Sequence, residues 1–281
     1  MKYIDKQLYE KEADSLIYDF LVEAWNEEFQ EYIGLDYYDG FNKRQYREKF
    51  ENILRNEQYQ HCCYCMRNIR KRKITIEHII PYKCNDAIDG YTSYSYILSN
   101  KVELLKDFIT KPLPPSNKPY KQPHIIAHAN LTASCMGIAY ENSKTGCFCN
   151  NKRLNNKIVP LMLVQNCMLK VGYQKDGRMF SRVPDDENYK KTINFLNLNH
   201  ERLIEIRFLW CRIWEKRLLF DWLKSNTEIK RQISIIKALG YRRWSEVPEE
   251  YKKYKIDFYW ELLIDYKWFH QYYRNEETYN N

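Results

Sequence analysis

The stretch Ile74-Thr75-Ile76-Glu77-His78-Ile79-Ile80-Pro81 sets a carboxylate and an imidazole inside a β-branched run that otherwise reads as a buried strand. Such groups are costly to bury without partners, so their presence points to chemistry. Hydrolysis of a phosphodiester needs a base to activate water and a cation to hold charge on the phosphate. Histidine titrates near neutral pH, and carboxylate and amide oxygens suit a hard ion such as Mg2+ or Mn2+. His78 is the expected base, Glu77 a metal ligand, and Asn150 or Asn151 the residue completing that metal site. Asn130 is expected to act indirectly, its amide bonding backbone or the imidazole. Adjacent strand residues point to opposite faces. Glu77 and His78 therefore share a site only if the strand ends or bulges before Pro81.

The cysteines suggest a second metal. Structural zinc prefers four thiolate or imidazole ligands, presented as close pairs on separate loops. Cys62 and Cys65 form a C-x-x-C pair, and Cys135 with Cys149 would supply the other. Cys147 is the alternative to Cys149, and Cys63 the alternative to Cys62. Cys149 is favoured because it precedes Asn150-Asn151-Lys152-Arg153, which should open a helix. Cys84, Cys167 and Cys211 are isolated and read as small apolar core residues.

The chain has 9 cysteines in uneven spacing, which does not resemble a disulfide framework. The start lacks the apolar core of a signal peptide, and no apolar run is long enough for a bilayer. A soluble cytoplasmic protein without a membrane partner is expected. The net charge of +8 suits a polyanion. Arg67, Arg70, Lys71, Arg72 and Lys73 lie between the knuckle and the strand, where they could meet phosphates. Lys152 and Arg153 would do the same from the proposed helix, whose N-terminus also favours an anion. DNA or RNA is the expected partner.

These residues need elements to position them. With 44% hydrophobic residues, few glycines and many aromatics, the composition is that of a globular α+β protein, predominantly helical. Three- and four-residue spacing predicts helices over 7–31 and 43–56. The motif region spans 58–160, interrupted by an 82–125 insertion with a helix near 95–109 and a proline-rich extended segment. Residues 161–281 should hold a hairpin over 168–183, turning at Lys175-Asp176-Gly177. Helices near 187–196, 199–225, 227–239 and 247–273 would follow. The organisation is thus 1–57, 58–160 and 161–281.

Together, Cys62-x-x-Cys65, Ile76-Glu77-His78-Ile79-Ile80-Pro81, Asn130-Leu131-x-x-Ser134-Cys135 and the basic run after Cys149 resemble the HNH endonucleases. The resemblance implies a zinc-clamped ββα-metal module in an H-N-N form, with His78, Asn130 and Asn150 or Asn151 at the matching positions. Ile193, Leu196, Leu198, Asn199, Leu203 and Arg207 look like a stretch of PtuB-type HNH proteins. That likeness implies a nuclease of Septu or retron-linked anti-phage defence, acting beside a PtuA-like ABC-type ATPase. The aromatic segments Phe208–Trp214 and Tyr251–Tyr273 would form the docking surface for such an ATPase. A different reading of the same residues is a zinc-stabilised nucleic-acid-binding or adaptor protein without catalysis.

Overall fold

Ala13, Leu16, Ile17, Phe20, Leu21 and Ala24 recur at helical spacing and are buried along helix α1 (Glu10–Ala24). The helix expected to reach residue 31 stops at Ala24. Asn26 Oδ1 accepts a hydrogen bond from Phe29 N at 3.0 Å, which favours a turn over another helical step. Strands β1 (Trp25–Asn26) and β2 (Glu31–Tyr32) pair antiparallel across that turn. Helix α2 (Tyr46–Glu57) buries Tyr46, Phe50, Ile53 and Leu54, and Phe20, Phe41, Tyr46 and Phe50 interlock between the two helices.

The computed structural model describes residues 1–42, 45–84, 101–138, 147–154, 156–184, 186–215 and 263–279. Strand β3 (Ile74–His78) pairs antiparallel with β6 (Leu131–Cys135), Ile74 opposite Cys135 and His78 opposite Leu131. Gln58 clips the other edge of β6, accepting from Ala133 N at 2.7 Å and donating to Ala133 O at 2.8 Å. Between them, β4 (Val102–Glu103), one helical turn α3 (Leu105–Phe108) and β5 (Gln122–Pro123) replace the helix expected near 95–109. The part of that expectation before residue 101 lies outside the described residues.

After β6 comes another single turn, α4 (Asn150–Arg153), with Cys149 at φ 56° before it and Leu154 at φ 53° after it. The strand pair is therefore followed by four helical residues rather than the longer helix of a ββα module. A third short turn, α5 (Cys167–Lys170), leads into the expected hairpin, β7 (Val171–Tyr173) with β8 (Met179–Ser181). Gly177 at its turn has φ +91°, and a Cβ there would sit 2.1 Å from Ile204 O.

Helices α6 (Glu187–Phe195), α7 (Glu201–Glu215) and α8 (Trp268–Tyr279) close the described chain. Of the helix expected over 247–273, the described part from 263 on has a turn at Tyr266 and Lys267. Its earlier part, residues 216–225 of the helix expected over 199–225 and the helix expected over 227–239 lie outside the described residues. Buried apolar side chains from Met1 to Tyr273 join one core. Of the described residues, no helix is long and apolar enough to cross a membrane.

Candidate metal centre

The knuckle after α2 folds tightly: Cys62 N donates to Arg67 O at 2.7 Å, Met66 N donates to Cys62 O at 3.2 Å, and Met66 adopts φ 66°. Cys62 and Cys65 thereby point the same way. Across from them, β6 delivers Cys135. The chain then turns at Gly137 (φ +59°), whose missing Cβ would lie 1.9 Å from Phe148 O. Phe148 N donates to Gly137 O at 3.0 Å, and this contact sets Cys149 beside Cys135. Spacing alone does not reveal this backbone clasp.

The four sulfurs of Cys62, Cys65, Cys135 and Cys149 all lie within 4.8 Å of one another, and all are buried. Cys65 and Cys135 stand 3.6 Å apart, and Cys149 is 3.9 Å from both Cys62 and Cys135. A tetrahedron with zinc–sulfur bonds of about 2.3 Å has edges of about 3.8 Å, so the donor set fits Zn2+ closely. All four positions come from protein, the pattern of a structural site. Burial opposes ionisation of Cys62, yet hydrogen bonds from Cys135, Cys149, Cys63 and Cys65 hold its thiol well below the usual range.

The two alternatives separate here. Cys63 is buried outside the cluster, its thiol pushed well up by burial and by neighbouring Cys62. Cys147 is half-buried and donates to Asn151 O at 3.5 Å.

The catalytic expectation is corrected by the same geometry. Asn130 takes the backbone-bonding one of the two arrangements expected of it, accepting from Ile80 N at 2.7 Å and donating to Ile80 O at 3.1 Å and His124 O at 2.7 Å, and this by itself does not separate a catalytic from a structural role. His78 Nε2 donates to Ile125 O at 2.8 Å, and its ring packs edge-on against Tyr37 and Tyr82. Burial lowers its pKa to about 4, so the imidazole is neutral across the physiological range. Burial pushes Glu77 up to about 8, outweighing Arg153 at 3.8 Å, and Glu77 Oε2 accepts from the Tyr64 hydroxyl at 3.4 Å.

Asn150 does reach the small cleft lined by Glu77, His78, Pro81 and Tyr82, but Arg153 lines it too. The Arg153 guanidinium donates to His78 O and Ile79 O, both at 2.6 Å, and its fixed charge opposes a divalent ion beside it. Asn151 donates to Met136 O. Of the described residues, the four cysteines are the one group of three or more His, Cys, Asp or Glu side chains placed to share a metal. The HNH reading, its catalytic Mg2+ or Mn2+ and the hydrolase assignment are withdrawn on this finding.

The downstream likeness to PtuB-type proteins also has a packing explanation, and the defence-system assignment falls with it. Ile193, Leu196, Leu198 and Leu203 are core residues. Asn199 clips β8, accepting from Met179 N at 2.7 Å and donating to Met179 O at 2.9 Å. Arg207 is fully buried, donating to Leu198 O at 2.7 Å with its guanidinium 4.9 Å from the Tyr173 ring.

Among the basic residues, Arg67 and Arg72 both pair with Asp265, at 2.8 and 3.2 Å, and Arg153 is buried. Arg70, Lys71, Lys73 and Lys152 are exposed. Of the aromatic segments expected to offer a docking surface, Leu209, Trp210, Tyr266 and Phe269 are buried, Phe208, Trp214 and Trp268 are half-buried, and residues 251–262 lie outside the described residues. Tyr266, 201 residues from Cys65, places its hydroxyl against the cluster; nothing local in sequence marks it. No protein-family model matches the chain, and a search of curated proteins finds no similar one.

Proposed function

We propose that this chain is a zinc-stabilised nucleic-acid-binding protein that acts by binding rather than catalysis. The carrying observation is the closed, buried four-cysteine cluster, which leaves no ligand position for substrate or water. The 67–73 loop supports the choice of partner. Its base is stapled to Asp265 through Arg67 and Arg72, and Arg70 N donates to Asn68 Oδ1 at 3.0 Å. Arg70, Lys71 and Lys73 are exposed beside that base, where their charge is open to a polyanion. Contacts of this kind grip phosphates without reading bases and weaken with salt.

The test is fluorescence anisotropy with single- and double-stranded DNA and RNA over a salt series. Binding should weaken steeply with salt. Replacing Arg70, Lys71 and Lys73 with alanine should reduce the log–log salt slope by about 2–3. The labelled strands should stay intact with Mg2+ or Mn2+. No binding at low salt, or cleavage that survives repurification, would overturn the proposal.

A further inference from the structure

Four thiolates around a divalent cation leave a formal charge of about −2, and burying it requires donors aimed at sulfur. On the Cys62 side the local chain provides them. Cys135 N donates to Cys62 Sγ at 3.3 Å and Tyr64 N at 3.5 Å, with Ser134 Oγ 3.6 Å away. On the Cys65 side the donor is distant in sequence: the fully buried Tyr266 hydroxyl donates to Cys65 Sγ at 3.1 Å. The neighbouring Asp265 carboxylate pairs with Arg67 and Arg72, and its carbonyl accepts from Asn68 N at 2.7 Å. Trp210 Nε1 donates to Leu263 O at 2.9 Å, binding the same segment to α7.

We propose that Tyr266 is a positioning residue of the metal centre, its hydroxyl donating to the Cys65 sulfur so that the metal and the C-terminal segment hold each other in place. The inference rests on the zinc reading above. The knuckle presents a sulfur on one side and a salt-bridged loop on the other, and residues 263–266 cross both. Partners of this kind orient metal ligands and tune their donor strength, and their loss typically weakens metal binding 10–100-fold.

The full-length chain loaded with Co2+ supplies the test, through its thiolate-to-cobalt absorption and the rate at which a competing chelator removes the metal. Tyr266→Phe keeps the ring and its packing. It should shift the charge-transfer band, speed metal removal about 10-fold and raise amide exchange across α8 in the loaded protein. Tyr273→Phe is the control, because that hydroxyl donates to Gln174 O at 3.1 Å. It should leave spectrum and removal rate unchanged. A Tyr266→Phe protein indistinguishable from wild type in spectrum, removal rate and amide exchange overturns this inference alone. A wild-type chain taking up no cobalt on sulfur overturns the zinc reading itself.

Discussion

The two ends of the β3–β6 ladder carry the polar residues that make this chain unusual, and they are built on opposite plans. At the Ile74–Cys135 end, side chains from three parts of the chain converge on one point, with four sulfurs within 4.8 Å of one another. At the His78–Leu131 end the polar groups are consumed in pairs: Asn130 with Ile80 and His124, His78 with Ile125, Arg153 with His78 and Ile79. Both ends bury costly groups. One leaves its ligands aimed at a common centre, and the other directs most of these hydrogen bonds to backbone. Residue types that could ligate an ion do so only where geometry leaves them pointing at the same place.

The largest effect should come from breaking the converging end. Cys135→Ser should abolish stoichiometric zinc and cost more than about 5 kcal/mol of folding stability, since metal binding is folding free energy here. Cys147→Ser, outside the cluster, should keep its zinc and shift stability by no more than about 0.5 kcal/mol. Metal analysis with thermal unfolding separates the two; equal zinc loss in both would dissolve the contrast.

A smaller effect is expected at the other end. Asn130→Ala leaves Ile80 N, Ile80 O and His124 O without their partner, which should cost roughly 2–4 kcal/mol while zinc content stays intact. Urea titration measures it, and a neutral change would remove the structural role assigned to this amide.

The smallest effect is set by pH. Burial raises Glu77 to about 8, so the folded chain keeps a proton that the unfolded chain loses near pH 4.5. Stability from this group is therefore lost as pH rises across that window. His78, lowered to about 4, acts with the opposite sign between pH 4 and 6.5 and contributes nothing above it. Glu77→Gln should consequently gain on wild type by roughly 2 kcal/mol between pH 6.5 and 8, at about 1.4 kcal/mol per unit. Parallel unfolding curves at the two pH values would show instead that Glu77 is ionised against Arg153.

Local pattern carried much of the fold. Apolar spacing announced α1 and α2, and Asp176-Gly177 marked the β7–β8 hairpin because a positive φ there has few residue solutions. The run of Asn26 and its neighbours misled helix assignment, since a side chain competing for one backbone amide ended α1 early. The metal pairing was only half legible: C-x-x-C identifies its own turn, whereas Cys149 is selected over Cys147 by the Gly137–Phe148 clasp.

Residue order by itself determined the knuckle, the buried β-branched strand and the positive charge beside it, because each depends on neighbours a few positions apart. Tertiary structure decided what Glu77, His78 and Asn130 would be. Their roles follow from which carbonyls, amides and hydroxyls reach them, and those partners lie 6–50 residues away along the chain. The same holds for Tyr266, which meets sulfur only because packing of the C-terminal segment carries it across 201 residues.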